Sequence, residues 1–239
     1  MIIILLLIIP MPGHADVTDG LVGWWKFDEG SGTSAADSSG YGNTGTLTNG
    51  PTWAAGKRGA AVNFDANDDF VVNAAFSWPA GSAISVAFWN YSPGGTQSSA
   101  FSVGGSGDPN RILAHAPWDD NVLYWDYGSS GGPGRITTNY AGYLNKWTHI
   151  VLVNNGTNFQ AIYLNGSLIT SDTSVDAAPG AQSGIWIGAF GSSYPHNGRI
   201  DDFRVYNRVL TAQEIYAIYM AGEPRMKLKG PARLTEFKM

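Results

Sequence analysis

The chain contains no cysteine. Disulfide staples and thiolate metal sites are therefore excluded, and the fold must rest on its buried core. Charge is also scarce, since Asp, Glu, Lys and Arg make up only 14% of the 239 residues. That is too little to coat long solvated helices. The formal net charge of -5 argues against a phosphate-binding surface over the whole domain, and so against a nucleic-acid partner. Glutamate is confined to Glu29, Glu214, Glu223 and Glu236, none of them in a central strand-like run. The histidines, His14, His115, His149 and His196, include no pair at metal-ligand spacing. The apolar run over residues 2–9 is far shorter than the ~20 residues a membrane span needs.

Glycine and aromatics are plentiful: 31 glycines, and 13% Phe, Trp and Tyr. This suits many short strands joined by tight turns. Strand-like alternation occurs over residues 83–91, 121–127, 146–154, 158–164, 167–171, 184–190 and 198–206, each bounded by Gly, Asn, Pro or Ser. Asn165-Gly166 between two apolar runs predicts a hairpin turn, because both residues tolerate positive φ. Residues 129–134 form a flexible Gly/Ser-rich loop. The rhythm predicts an all-β, antiparallel double-sheet jelly-roll sandwich in one domain, residues 16–224. One short C-terminal helix is expected, opened by a Thr211/Glu214 capping box. Ile215, Ile218 and Tyr219 share its buried face, and Gly222 and Pro224 stop it.

The two ends differ from this body. The apolar run followed by Gly13-His14-Ala15 reads as a signal peptide over residues 1–15, which implies a secreted or cell-surface protein beginning at Asp16. Beyond Pro224, residues 225–239 form a basic tail with Arg225, Lys227, Lys229, Arg233 and Lys238. A disordered extension and an electrostatic contact with an acidic partner are both open for it.

Two end motifs carry a family resemblance. The first is Gly23-Trp24-Trp25-Lys26-Phe27-Asp28-Glu29-Gly30-Ser31-Gly32, followed by the loop running from Asp37 to Gly45. The second is Gly198-Arg199-Ile200-Asp201-Asp202-Phe203-Arg204-Val205-Tyr206-Asn207-Arg208-Val209-Leu210. Together they resemble the laminin-G-like jelly rolls of the concanavalin A-like lectin/glucanase superfamily. The resemblance implies that the first and last strands lie side by side. It also implies a structural calcium held by Asp28, by Asn43 or Gly45, and by Asp201. Calcium takes six to eight oxygens, and glycine lets loop carbonyls turn inward. Asp202 should point away from Asp201 by strand alternation, with Arg204 or Lys26 as salt-bridge partner. The acidic stretch Asp65-Ala66-Asn67-Asp68-Asp69 is either a polar turn or a second cation site. The superfamily's glucanases carry a Glu-x-Asp-x-Glu spacing that this chain lacks, and the cluster Asp119, Asp120, Asp126 does not reproduce it. The resemblance therefore points to recognition without catalysis.

A sugar site combines an aromatic platform with a few polar groups. The richest candidate comprises Arg111, His115, Trp118, Asp119, Asp120, Asn121, Tyr124 and Trp125, with Trp118 the exposed platform. The second is the polar loop bearing Tyr194 and His196. Half of the strand aromatics must face the core, and Trp24, Trp25, Trp89, Trp147 and Trp186 read mostly as packing. The expected partner is a glycan, with an extracellular protein surface as the alternative.

Overall fold

In a computed structural model of the chain, the structure describes residues 17–78, 80–104, 110–176 and 179–222. The expected signal peptide, residues 1–15, and the basic tail, residues 225–239, lie outside the described residues. Sixteen strands and one helix follow in chain order: β1 (Leu21–Trp25), β2 (Ser34–Ala35), β3 (Gly45–Thr48), β4 (Thr52–Ala55), β5 (Ala60–Asp65), β6 (Phe70–Trp78), β7 (Ile84–Tyr91), β8 (Phe101–Val103), β9 (Arg111–His115), β10 (Val122–Gly128), β11 (Arg135–Asn139), β12 (Thr148–Asn154), β13 (Gln160–Leu164), β14 (Ser167–Asp172), β15 (Gln182–Ile187), β16 (Asn197–Tyr206) and α1 (Ala212–Gly222). The first sheet runs β14-β13-β12-β7-β16-β5-β4, with β1 also paired to β16. The second runs β11-β10-β9-β8-β15-β6-β3-β2. All pairings are antiparallel.

The core fills the space between the sheets. Ile84, Val86 and Phe88 of β7 meet Phe101 of β8, Ile112 and Ala114 of β9, and Leu123 and Trp125 of β10. Phe203 of β16 lies within 5.4 Å of both Phe88 and Phe101, ring centre to ring centre. Residues of opposite parity face outward, so each sheet offers a second surface.

On the first sheet much of that surface is covered. Ala87, Val151, Val153, Ala161 and Tyr206 form a second apolar cluster beneath Ile215 and Ile218 of α1. This explains why β7 and β12 are buried along nearly their whole length. The capping box forms as the sequence predicts: Thr211 N donates to Glu214 Oε2 at 2.8 Å, and Glu214 N donates to Thr211 Oγ1 at 3.2 Å. Arg208 grips the same carboxylate at 2.9 and 2.7 Å. Its hydrogen bonds, opposed by burial, hold Glu214 down to about 2. The hairpin at Asn165-Gly166 has φ values of 50° and 78°. No helix among the described residues is long and apolar enough to cross a membrane.

Candidate functional site

Strand pleating builds one hollow on the outward face of the second sheet. Ile112 and Ala114 of β9 face the core, so Arg111 and His115 face out. Leu123, Trp125 and Tyr127 of β10 face the core, so Tyr124 and Asp126 face out. The registers Tyr124↔His115 and Asp126↔Arg135 bring these side chains together across three strands. Trp118, from the β9–β10 turn, and Tyr194 and Phe190, from the β15–β16 loop, complete a cavity of about 340 Å³. Trp118 lies 4.2 Å from the His115 ring and 5.0 Å from Tyr194, ring centre to ring centre. Tyr194 as a residue is 40% exposed.

The electrostatics are set from below. Asp126 is fully buried and accepts two hydrogen bonds from Arg135, at 2.6 and 2.7 Å. Arg111 Nε lies 3.3 Å from the same carboxylate. Arg135 also sits over the Tyr124 ring, at 4.7 Å, and Arg111 over Phe190, at 5.1 Å. Burial pushes the His115 imidazole down to about 3, with the Arg135 charge adding to it, so this wall is neutral at ordinary pH. Tyr124 donates to Asp120 Oδ2 at 2.6 Å, and that bond chiefly raises the phenol.

The two sequence-predicted clusters thus converge, and Arg111, His115, Trp118 and Tyr194 line one hollow. Five predicted residues do not line it: Trp125 faces the core, Asp120 lies beside the hollow bound to Tyr124, and His196, Asp119 and Asn121 are placed elsewhere. His196 is buried in the core with its ring edge against Phe64, 5.8 Å between centres. It precedes β16 directly, and its backbone pairs with Ala66 and Gly188, which draws the side chain inward. Asp119 is exposed and accepts from Gln97 at 3.1 Å. Asn121 adopts a φ of 60° inside the turn, where its amide and carbonyl bond to Trp118 and Tyr140. Trp118 itself is half-buried, a wall of the hollow more than a free platform. Sequence reading missed Arg135 and Phe190. The alternation Arg135-Ile136-Thr137-Thr138 was the available signal for the former.

A second hollow, of about 370 Å³, opens on the outward face of the first sheet, where β1 runs beside β16. Asp28, Asp201, Asp202, Arg58, Arg204 and Trp24 line it. Strand alternation predicts Asp201 and Asp202 on opposite faces, and the structure corrects this. The register slips between Asp201 and Arg204, and Asp202 takes a φ of 51°. This bulge adds a residue, so both carboxylates face the hollow. Asp202 does pair with Arg204, Oδ2 to Nη2 at 2.8 Å, and accepts the Trp24 indole N–H at 2.6 Å. Arg204 and the Lys26 ammonium each sit 4.4 Å from the Trp24 ring centre.

The expected calcium ligands separate here. Asp28 and Asp201 both reach the Gly56–Ala60 turn: Ala60 N donates to Asp28 Oδ1 at 3.2 Å, and Arg58 N to Asp201 Oδ2 at 3.0 Å. A Cβ on Gly59 would meet the Asp28 carboxylate, and one on Gly56 the Asp201 carboxylate. Burial first, and then the charges of Asp202 and Asp28, push Asp201 up to about 7. A cation would relieve that crowding, although Lys26, Arg58 and Arg204 line the same hollow. Asn43 and Gly45 do not line the hollow. Asn43 spends its carbonyl on the Trp25 indole at 2.8 Å and its side-chain amide on Val22 O at 2.8 Å. Gly45 packs against Val71 and Trp25. Their loop is organised by Asp37, which accepts from the amides of Trp24, Ser39 and Asn43 and from the Ser39 hydroxyl, at 2.8–3.0 Å. Against burial, these bonds hold its carboxyl below the usual range.

The acidic stretch forms a polar turn. Asp65 Oδ1 accepts from Asn67 N at 2.9 Å, Asp69 Oδ2 from Asp65 N at 3.1 Å, and Ala66 has a φ of 67°. The carboxylate oxygens of Asp65, Asp68 and Asp69 lie within 4.8 Å of one another.

Comparison with known proteins follows this geometry. A sequence model described as the concanavalin A-like lectin/glucanases superfamily, of laminin G type, matches residues 64–216. Among curated proteins, none matches the chain by sequence. Domain 4 of AbnA, an extracellular GH43 arabinanase from Geobacillus stearothermophilus solved with arabinotriose, is 24% identical with a TM-score of 0.61. The alignment covers 83% of this chain and 98% of that domain. The binding domain of Paraclostridial Mosquitocidal Protein 1 is 17% identical, with a TM-score of 0.66 over 86% of this chain and 53% of that one. The binding domain of Botulinum Neurotoxin DC, solved with SialylT, is 16% identical, with a TM-score of 0.64 over 87% and 52%. The chain therefore spans about half the length of these toxin domains.

Proposed function

Because the chain belongs to the concanavalin A-like lectin/glucanases superfamily, we propose that it is an exported, noncatalytic carbohydrate-binding module stabilised by calcium. One observation carries the reading. Trp118 and Tyr194 stand at 5.0 Å over a hollow that also presents Arg111 and Arg135. Aromatic faces match the CH faces of a sugar ring, and guanidinium groups match its oxygens. The arabinotriose complex of the AbnA domain accords with a sugar ligand on this scaffold.

The carboxylates near the hollow support binding without hydrolysis. A retaining glycosidase needs two carboxyl groups about 5–5.5 Å apart across the bond it cuts. Here Asp126 is buried under two arginines, Asp120 is engaged by Tyr124 and Asp119 by Gln97. At the other hollow Asp28 and Asp201 would hold calcium, which would tie the segment after β1 to β16 and to the Gly56–Ala60 turn. Export rests on the apolar run over residues 2–9 and on Gly13-His14-Ala15. Mass spectrometry of protein from a secretion-competent host should show a chain beginning at Asp16. Retention of residues 1–15 in a cytoplasmic product would refute export.

The central test is a glycan array together with a Trp118→Ala variant. Trp118 lies outside the apolar core, so its truncation should leave the melting temperature nearly unchanged. It should cost roughly 1–3 kcal/mol of affinity. No reducing sugar should be released from β-glucan. Mutation-sensitive hydrolysis would overturn the noncatalytic assignment.

A protein-binding, adhesive role is the second reading. It is favoured by the exposed Leu168, Ile169, Tyr216 and Met220, where the β13–β14 hairpin lies against α1. Pull-down from an envelope extract by a chain that binds no glycan would move it ahead.

A further inference from the structure

We propose that His115 is the specificity-determining residue of the second-sheet hollow, and that its Nε2 atom offers a lone pair that accepts one hydroxyl of the bound sugar. This rests on the carbohydrate-binding reading and names the ligand group that site requires. The ring proton is placed by its partners. Nδ1 lies 3.2 Å from the Ser98 carbonyl oxygen and 2.9 Å from the Ser99 hydroxyl. A carbonyl oxygen only accepts, so the proton sits on Nδ1, and the hydroxyl turns to accept as well. Burial, with the Arg135 charge added to it, keeps the ring neutral at ordinary pH. A neutral imidazole carries one N–H, so Nε2 is left as a bare acceptor.

Strand order decides where that acceptor points. Ser98 and Ser99 lead into β8, which flanks β9 on one side, and β10 flanks it on the other. The two nitrogens stand on opposite flanks of the ring. With Nδ1 turned to Ser98 and Ser99, Nε2 turns toward β10, where Tyr124 stands opposite His115 and the imidazole lines the cavity. Among the described residues no hydrogen bond engages Nε2. Nor is it sealed from the cavity, unlike the two nitrogens of His196, which are buried without partners. The residue as a whole is only 4% exposed, so little water competes for that lone pair. The Trp118 ring centre lies 4.2 Å from the imidazole, and the Tyr194 ring stands edge-on at 6.2 Å. A sugar ring held by these aromatics brings a hydroxyl to Nε2. A hydroxyl donates to the lone pair, whereas a deoxy carbon or an O-methyl group leaves it unpaired and shut off from water.

Nitrogen-15 NMR of the intact protein reads the tautomer. Nδ1 of His115 should carry the proton and Nε2 should be bare, and saturation with a sugar that binds should move the Nε2 signal more than the Nδ1 signal. Calorimetry then uses arabinotriose, cellotriose and lactose, each with its monodeoxy analogues. For a sugar that binds, the loss of one particular hydroxyl should weaken affinity by about tenfold. His115→Phe should weaken the parent sugar by a similar factor, and in that variant the loss of the same hydroxyl should cost nothing further. If His115→Phe does not fold, the NMR of the unaltered protein still decides. A proton on Nε2, or a sugar that binds without moving its signal, would overturn the role of His115 and leave the carbohydrate reading standing. Failure of all three sugars to bind the intact protein would overturn both.

Discussion

The two hollows use nearly the same residue types and arrive at opposite charge arrangements. On the second sheet, a carboxylate lies at the bottom and two arginines face the cavity. On the first sheet, Asp28, Asp201 and Asp202 themselves line the cavity, while Arg204 is tied to Asp202. In both, a cation rests on an aromatic face: Arg135 on Tyr124 in one, Arg204 on Trp24 in the other. The difference comes from the backbone. Regular pleating in β9, β10 and β11 puts Asp126 among the arginines of its neighbours, whereas the bulge in β16 turns two consecutive acids to one side. Composition thus decides that a charged, aromatic hollow forms, and strand register decides which of its charged groups line the cavity.

The sharpest way to break the comparison is to remove the acid that holds the first-sheet hollow together. Asp202→Ala leaves the buried Arg204 without its partner and frees the Trp24 indole. Urea unfolding should show a loss of about 3–5 kcal/mol, the cost of stranding a buried charge. A loss below 1 kcal/mol would mean that Arg204 finds water at no cost. Calcium should give the next largest effect. At a hundredfold excess over Kd, binding to the folded state alone adds about 2.7 kcal/mol. EDTA should therefore lower the melting temperature, calcium should restore it, and Asp201→Ala should erase most of that response. An EDTA-insensitive melting curve of metal-free protein would remove calcium from the account.

Acid separates the regions in a further way. His115 in the second-sheet hollow, and His149 and His196 in the interior, are pushed down to about 3, chiefly by burial. Unfolded, each would take up its proton near pH 6.5. The unfolded chain then binds more protons, so this stability is complete above pH 6.5 and drains as pH falls toward 3. Melting temperature should fall steadily between pH 6.5 and 4, and His196→Leu should flatten the slope. Ligand affinity at the second-sheet hollow should show no inflection near 6.5, because the His115 wall stays neutral in the folded protein. The smallest effect is predicted for Asp119→Ala, an exposed side chain outside the hollow. It should shift stability by no more than about 0.5 kcal/mol and leave affinity intact. A marked loss of binding would restore Asp119 to the site.

Much of this was legible in the sequence where the signal is local. Asn165-Gly166, the Thr211/Glu214 capping box and the strands β7, β10, β12 and β16 each follow from neighbouring residues, and each is present, with β16 carrying a bulge that alternation did not foresee. The pairing of the first and last strands followed from the family resemblance and is present. β2 to β6, β8, β9 and β11 were not read as strands. β9 and β11 are only five residues each, and β9 is apolar on both faces except at its ends. His196 looked like a binding residue because its loop is polar, yet its own side chain turns inward. Asn43 and Gly45 looked like ligands because their loop is rich in glycine, yet that loop is closed by Asp37 and the Trp25 indole.

The sequence by itself determined that two antiparallel sheets would close over an aromatic core with a capped helix on one outer face. Short-range alternation, turn chemistry and capping are properties of adjacent residues. Only the tertiary structure decided that Arg111, Trp118, Arg135 and Tyr194 share a hollow, because they come from strands and loops up to 83 residues apart, 111 to 194, and meet through sheet register. It also decided that Asp201 and Asp202 face the same way. A bulge depends on what lies on the neighbouring strands, and no alternation rule within β16 alone contains that information.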